Sequence, residues 1–179
     1  MPATIVTNDP GEAAKFVAEA GRAVCKPFTA TGIIDGDVHR VVYTNTVAVG
    51  DIDESIRLTA HLLQAWVPKQ YEVRLTVVDK VFFATRIDAD SDAAALDWRA
   101  DYPALAYTPI GVPASVRAGV SALMRRLGLR FGALDFVVTP DDRWIFLEIN
   151  SNGQWAWIED ATGQPVAAAI ADALTRETP

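Results

Sequence analysis

The sequence predicts an α+β fold, with mixed or antiparallel sheets and helices packed on one side of them. Two observations carry this prediction. Pairs of β-branched and aromatic segments are separated by short polar turns, most clearly within residues 71–87 and 131–150. Segments with apolar side chains at helical spacing lie between these pairs, most clearly at residues 113–127. With 179 residues, of which 50% are hydrophobic and 22% charged, the chain is long enough to bury a sizeable core.

A helix is predicted at residues 10–20, between two extended segments. Its start combines a polar cap with a proline, and Gly21 ends it. Residues 5–7 and 22–28 are apolar and β-branched, so each is predicted to be a strand. The stretch 29–37 is rich in turn residues.

A strand at residues 38–49 and a second helix are predicted next. Asp51 and Glu54 have the spacing of a capping box. Apolar residues follow them at roughly helical spacing as far as Leu63. Residues 64–68, which end in a proline, are predicted to be a linker.

The remaining elements are a hairpin, a long connection and two helices. Residues 71–78 alternate between apolar and polar side chains, and residues 81–87 are predicted to pair with them. Residues 88–111 are polar and turn-rich, and long connections of this kind are usually functional or mobile. Helices are predicted at residues 113–127 and from 165 to about 174.

Residues 131–150 are predicted to form a second hairpin, folded about a tight turn at Asp141 and Asp142. Side chains alternate between the two faces of a strand. The predicted register pairs Asp135 with Glu148, Val137 with Phe146 and Thr139 with Trp144. One face is then wholly apolar and carries Leu134, Phe136, Val138, Ile145, Leu147 and Ile149.

The other face of this hairpin carries Asp135, Glu148 and Asn150 together at its open end. Two carboxylates directly across a strand pair repel each other, which costs stability unless a positive charge lies between them. Three oxygen ligands without histidine or cysteine suit Mg²⁺ when phosphate supplies the remaining ligands. The alternative is a half-exposed hairpin whose acids only face water.

Two segments of this hairpin region resemble the metal-binding end of the ATP-grasp fold. They are Leu-Arg-Phe-Gly-Ala-Leu-Asp-Phe at 129–136 and Phe-Leu-Glu-Ile-Asn-Ser-Asn-Gly-Gln-Trp at 146–155. The Asn-Gly-Gln-Trp continuation is similar to that of the ligases that modify ribosomally made peptides, the microviridin and graspetide maturases. The resemblance covers almost the whole chain. It implies two sub-domains: residues 1–66 would form the central sub-domain, which bears the nucleotide-binding lysine, and residues 67–179 the C-terminal sub-domain, which binds the metal. Family members carry a further N-terminal domain, which is expected to be absent here.

The resemblance implies that the substrate ATP and Mg²⁺ bind to this module. Asp135, Glu148 and Asn150 would hold Mg²⁺ against the phosphates, and Lys26 would reach the α- and β-phosphates. Considered alone, a lysine at the end of a strand is more often an exposed charge that solvates a sheet edge.

The resemblance also implies a nucleotide hinge and two arginines. Gln64, Trp66 and Val67 would lie along the adenine, with backbone groups making the contact, although an ordinary linker also explains them. A guanidinium can hold two oxygens of an acyl phosphate, which is the role expected of Arg74; a cross-strand pair is the alternative. Arg86 is expected beside the acyl phosphate, but it shares the face of Arg74 only if the intervening loop has three residues.

The implied reaction is ATP-dependent ligation on a ribosomal precursor peptide. A side-chain carboxylate would be activated as an acyl phosphate and then joined to a Ser or Thr hydroxyl or a Lys amine. The region that includes Asp97, Trp98, Arg99 and Asp101 would help to grip the leader segment, although these residues look like ordinary surface. Two alternatives remain open: an amino-acid-adding ligase of the same fold, and a non-catalytic module that grips a leader peptide.

Composition narrows the partners. A net charge of −7 argues against nucleic acid, which needs a basic surface. Cys25 is the lone cysteine, so it forms neither an internal disulfide nor a zinc site. The first residues lack the charged and then apolar pattern of a signal peptide, and no apolar stretch is long enough to span a bilayer, so we expect a cytoplasmic protein. A homodimer is left open.

Overall fold

The structure is a computed structural model, and it describes residues 1–28, 32–35, 38–41 and 43–176. The chain forms two compact units. One comprises Met1–Val67 with Asp90–Ala104, and the other comprises Pro68–Ala89 with Leu105–Pro179. The segment Asp90–Ala104, which the sequence placed in the second sub-domain, therefore groups with the first unit. No helix in the described ranges is long and apolar enough to cross a membrane.

The first unit is built on a four-stranded antiparallel sheet. Its strands, in spatial order, are β1 (Thr4–Thr7), β6 (His61–Ala65), β2 (Ala23–Lys26) and β5 (Asn45–Val47). Two further strands, β3 (Gly32–Asp35) and β4 (Val38–Val41), pair with each other. The predicted strand at 38–49 is therefore two strands in two different sheets.

Helix α1 (Pro10–Ala20) confirms the predicted first helix. The Asp9 carboxylate accepts a hydrogen bond from the backbone N–H of Glu12 at 3.0 Å, which satisfies one of the donors left over at a helix start. Gly21 ends the helix with a φ of 70°. Ala13 and Val17 are buried in a core shared with Leu63 of β6, so this face of the helix attaches it to the sheet.

The predicted second helix is wrong. Val49–Asp51 and Glu54–Leu58 form short 3₁₀ turns, and the leucines beyond them lie in β6. Asp51 and Glu54 do not form the predicted capping box: the Asp51 carboxylate accepts from the N–H of Ala48 at 2.8 Å, and the Asp53 carboxylate caps the second turn by accepting from the N–H of Ser55 at 2.8 Å. Strand β6 pairs with β1 on one side and β2 on the other, and these two ladders outweigh a helical preference.

The segment Asp90–Ala104 is more ordered than the predicted connection. It contains α2 (Asp92–Leu96) and two 3₁₀ turns. Asp97, expected at the surface, is buried: its carboxylate accepts from the backbone N–H of Thr44 at 3.1 Å and from the Arg99 guanidinium at 2.7 and 2.8 Å. Burial alone would raise the pKa of Asp97, but hydrogen bonds from Arg99 and Thr44 outweigh it and lower the pKa to about 2.

We expect Asp97→Asn to destabilise the protein in a pH-dependent way. The folded pKa of about 2 lies below the ordinary 3.8, so the ionised carboxylate stabilises the fold above pH 4 and loses this effect as the pH falls toward 2. Urea unfolding should give a deficit of about 2 kcal/mol at pH 7 that shrinks to about 1 kcal/mol at pH 3. Asp92→Asn, at an exposed position, is the control. A deficit that does not change with pH would contradict this account.

The second unit is built on a five-stranded antiparallel sheet. Its strands, in spatial order, are β11 (Trp144–Asn150), β10 (Phe131–Val138), β7 (Tyr71–Val78), β8 (Val81–Ala89) and β9 (Leu105–Ile110). Strand β9 lies inside the region predicted to be an irregular connection.

Helices pack on both faces of this sheet, so the prediction of helices on one side is wrong. On one face α3 (Ala114–Leu127) contributes Val120 and Met124 to the core that contains Leu75. On the other face α5 (Val166–Thr175) buries its own apolar side chains against Val78 and Phe83. A shorter helix, α4 (Ala156–Thr162), precedes α5. Both faces of β7 carry apolar side chains over part of their length, so helices pack on each face and bury them.

The turn between β10 and β11 is one residue longer than predicted. Thr139 closes the loop opposite Arg143, because its N–H donates to the carbonyl of Arg143 at 3.0 Å. The N–H of Asp142 donates to the carbonyl of Thr139 at 2.9 Å, and Asp142 has a φ of 57°. This is a type of hairpin loop in which a turn is followed by one left-handed residue. The predicted pairing of Thr139 with Trp144 is therefore wrong.

A β-bulge then restores the predicted register at the open end of the hairpin. Phe136 pairs with Phe146, but Asp135 pairs with Glu148, so Leu147 is the extra residue. Trp144 and Phe146 pack in the core in place of the expected Ile145 and Leu147.

Candidate functional site

The central feature of the second unit is a row of charged residues across three strands. Asp135 of β10 lies directly opposite Arg74 of β7 on one side and Glu148 of β11 on the other. Directly paired residues share a face of the sheet, and Asn150 follows Glu148 on that face. The predicted pairing of Asp135 with Glu148 is thus observed, and their role as metal ligands stays a prediction.

Arg74 provides the positive charge beside Asp135. Its Nη1 donates to both carboxylate oxygens of Asp135, at 2.8 and 2.9 Å. Its Nη2 donates to the backbone carbonyl of Gln154 at 3.1 Å. Both side chains are largely buried, 8% exposed for Arg74 and 15% for Asp135, which strengthens the pair relative to one at the surface. Arg74 therefore holds Asp135 in a fixed position.

Gly153 allows the chain to pass close above this pair. Its N–H donates to the carbonyl of Asn150 at 3.3 Å, and the Asn150 side-chain oxygen accepts from the N–H of Asn152 at 2.8 Å. A Cβ added at Gly153 would lie 2.4 Å from the Cβ of Ala133 and 3.3 Å from Nη2 of Arg74. Sequence reasoning missed this role. The signal was the glycine just beyond β11, since glycine is common where the backbone approaches another group closely.

Three acids lie on the face of the sheet that carries Arg74, namely Glu72, Asp135 and Glu148. Lys69 donates to Glu72, and Arg74 donates to Asp135, so two of the acids have a basic partner. Glu148 is exposed and has no ion-pair partner within the described part of the chain. An added cation beside Glu148 would complete the balance of charge.

The residues fit a divalent cation in part. The described residues contain no group of three or more His, Cys, Asp or Glu that could hold a metal ion. The predicted set has two carboxylates and one amide, and the amide oxygen of Asn150 is already turned toward Asn152. Glu148 and Asp135 supply carboxylates on directly paired residues, although both Asp135 oxygens also accept from Arg74. One or two carboxylates are a sufficient protein contribution for Mg²⁺ where phosphates and water complete the shell.

Arg86 lies on the opposite face of the sheet from Arg74. The loop between β7 and β8 has two residues, so Arg86 pairs with Val73. Its guanidinium donates to Asp88 at 2.7 and 2.6 Å and lies 4.0 Å from the ring centroid of Tyr71. The hydrogen bond that Arg86 donates to Asp88 raises the pKa of the guanidinium. The three-residue loop that would have placed Arg86 on the face of Arg74 is therefore not present.

Lys26 and the predicted hinge lie in the first unit. Lys26 is the last residue of β2 and is half-buried. Gln64 belongs to β6, so the linker begins later than predicted; its buried amide donates to the Thr4 hydroxyl at 3.0 Å. This hydrogen bond links β6 to β1, so the side chain of Gln64 has a structural role.

Trp66 and Val67 form the actual exit from β6. The N–H of Trp66 donates to the carbonyl of Arg22 at 2.9 Å, and the Arg22 guanidinium lies 4.3 Å from the centroid of the tryptophan ring. Val67 makes no backbone–backbone hydrogen bond within the described residues. Contact of Gln64, Trp66 and Val67 with a nucleotide stays a prediction.

No family model matches this chain, and no curated protein matches it. Solved structures do. A RiPP-associated ATP-grasp ligase of Chryseobacterium gregarium, in complex with ADP and a leader and core peptide, is 31% identical with a TM-score of 0.91, and the match covers 100% of this chain and 56% of the ligase. The macrocyclase MdnC of Microcystis aeruginosa, bound with the precursor peptide MdnA, is 30% identical with a TM-score of 0.86, covering 99% and 55%.

A third structure extends the comparison of folds. The ATP-grasp ligase PsnB, complexed with a variant of its minimal precursor, Mg and ADP, is 20% identical with a TM-score of 0.74, and the match covers 97% of this chain and 53% of PsnB. At this identity the likeness concerns the fold alone. The chain spans about half the length of the solved structures it matches. It has the ATP-grasp fold, and over its whole length it is similar to the ATP-grasp ligases of ribosomal peptide maturation, as the sequence predicted.

Proposed function

We propose that this chain carries the nucleotide-binding and ligating residues of an ATP-dependent carboxylate ligase that acts on a ribosomal precursor peptide. The observation that carries the proposal is the direct pairing of Asp135 with Glu148, with Arg74 fixed on the far side of Asp135. The similarity to ligases crystallised with ADP and with precursor peptides supports it.

The reaction would proceed in two steps. An aspartate or glutamate carboxylate of the peptide attacks the γ-phosphorus of ATP, which releases ADP and gives an acyl phosphate. A Ser or Thr hydroxyl, or a Lys amine, then attacks the acyl carbon; it loses its proton, phosphate leaves, and an ester or amide forms. Most of the rate in such a reaction comes from positioning and from neutralising phosphate charge.

Glu148 and Asp135 would hold Mg²⁺, whose chemistry is to neutralise the phosphate oxygens. Arg74 would act as a positioning residue that holds the Asp135 carboxylate toward this site through two hydrogen bonds. Asn150 would shape the turn that follows, and its amide contributes less as a ligand because Asn152 occupies it.

In the first unit, Lys26 would contact the α- and β-phosphates. Val67 would offer its N–H and C=O to the adenine, while Gln64 and Trp66 hold the strand that presents it. Arg86 is not part of this proposal, because Asp88 holds it on the other face.

Turnover tests the proposal. The chain is incubated with ATP, Mg²⁺ and the peptide MdnA as a probe, and ADP release is followed beside the peptide mass. We expect ADP release, with the peptide losing the mass of one water for each bond formed. In Glu148→Gln the rate of ADP release should fall about 10–100-fold. Release with free glutamate instead would indicate an amino-acid-adding ligase. Nucleotide binding without ADP release from any acceptor would indicate a binding module and overturn the ligase proposal.

A further inference from the structure

A groove lies at the end of the five-stranded sheet away from Arg74. It forms where β7 turns into β8, about 16 Å along the strand from Arg74, and it has a volume of about 640 Å³. Its size is in the range of sites that bind ligands, about 300–1,000 Å³. Its apolar lining comes from β7, β8, α3, the segment that follows α3, and α5, namely Val77, Val78, Val81, Phe82, Met124, Leu129 and Ala169. None of these residues belongs to the candidate site described above.

The rim of the groove is basic. Lys80, Arg125, Arg130 and Arg176 line it together with only two acids, Asp79 and Asp172. This surplus of positive charge occurs in a chain whose net charge is −7. The groove therefore differs from the rest of the chain in the sign of its charge.

Both acids of the rim already have an arginine. Arg130 donates to the two carboxylate oxygens of Asp79 at 2.8 and 2.9 Å and also to the carbonyl of Ala173 at 2.6 Å. Arg176 lies 3.6 Å from the carboxylate of Asp172. These contacts tie the hairpin turn to α5 and give the groove a defined edge.

Two cations of the rim remain available. Lys80 and Arg125 are exposed, and neither has an ion-pair partner within the residues that the structure describes. The pKa of Asp79 is lowered by the hydrogen bond from Arg130 and further by the charges of Arg130, Arg176 and Lys80. Several positive charges thus act on the same small region.

We propose that this groove binds a short acidic peptide segment that carries bulky apolar side chains. Carboxylates would meet Lys80 and Arg125 at the rim, and an apolar side chain would cover the floor beside Val81, which is 46% exposed. A small anion such as phosphate would leave the apolar floor uncovered. Nucleic acid would need a more extended basic surface. The proposal does not depend on ligase activity.

Fluorescence anisotropy tests the proposal. The probe is a fluorescein-labelled peptide that alternates glutamate with leucine and phenylalanine, titrated with the full chain. We expect saturable binding that weakens as salt rises, because the charged contacts are exposed and screened. Replacing every glutamate of the peptide with glutamine, or every leucine and phenylalanine with serine, should each weaken binding at least about tenfold.

Variants locate the binding. Lys80→Glu combined with Arg125→Glu should weaken binding at least about tenfold, and Val81→Ser about threefold. Arg126→Glu is the matched control, because Arg126 is exposed on the same helix but does not line the groove, and its affinity should stay within about twofold. Thermal melting verifies that each variant is folded. No saturable binding, an equal loss in Arg126→Glu, full competition by inorganic phosphate, or tighter binding to anionic lipid vesicles would each overturn the proposal.

Discussion

Replacing Arg74 with methionine is expected to lower the free energy of unfolding by about 3 kcal/mol. The substitution leaves the Asp135 carboxylate in a site where it is only 15% exposed and removes both hydrogen bonds that hold it. Breaking one side of a buried ion pair typically costs about 3–5 kcal/mol, and the residual exposure of Asp135 favours the lower end. Urea unfolding at neutral pH measures the effect.

The double variant Arg74→Met with Asp135→Asn separates the cost of an unpaired buried charge from the loss of the other contacts of Arg74. It should recover at least about 1 kcal/mol relative to Arg74→Met, because no buried charge is then left unpaired. Arg74→Lys keeps the charge but loses the contact with the Gln154 carbonyl. Its stability should therefore lie between that of the parent protein and that of Arg74→Met. If Arg74→Met unfolds like the parent protein, Asp135 is not held by Arg74 and the site is less ordered than described.

Replacing Gly153 with alanine is expected to destabilise the protein by about 1–3 kcal/mol. The added methyl would lie 2.4 Å from the Cβ of Ala133, so one of the two backbones must move. Because Ala133 is two residues from Asp135, the same movement should weaken nucleotide binding. Thermal unfolding and nucleotide titration of one preparation measure both effects.

Two further substitutions control for this prediction. Ala133→Gly in the Gly153→Ala background removes the opposing methyl and should restore part of the stability. Gly119→Ala makes the same chemical change in α3, where no atom lies within 4 Å of the added Cβ, and should stabilise the helix by about 1 kcal/mol. If Gly153→Ala behaves like Gly119→Ala, the close approach at residue 153 is not a constraint.

The sequence predicted the pairing of the two acids, although it missed how the hairpin produces that pairing. The loop is one residue longer than expected, which shifts the pairs near the turn, and the bulge at Leu147 shifts the register back before Asp135. Neither feature has a marked signal in the sequence, since aspartate replaces the glycine usual at the left-handed position. Alternation of apolar and polar residues fixes a face only as long as no bulge intervenes.

Other differences have the same origin in tertiary structure. The capping signals near Asp53 are satisfied within one turn, and ladders from two neighbouring strands then decide the structure of β6. The alternation of side chains could place Arg86 on either face of the sheet, depending on the length of the loop between β7 and β8. The loop has two residues, so Arg86 faces away from Arg74. The burial of Asp97 depends on the backbone of Thr44, more than 50 residues away, so no local pattern indicates it.

Isothermal titration of ADP with and without Mg²⁺, in the parent protein and in Glu148→Gln, tests most directly whether Glu148 and Asp135 hold a cation at a nucleotide. We expect Mg²⁺ to tighten ADP binding at least about tenfold in the parent and by less than about twofold in Glu148→Gln, with similar affinities in EDTA. An equal effect of Mg²⁺ in both proteins, or no binding of ADP to the folded parent, would contradict the account.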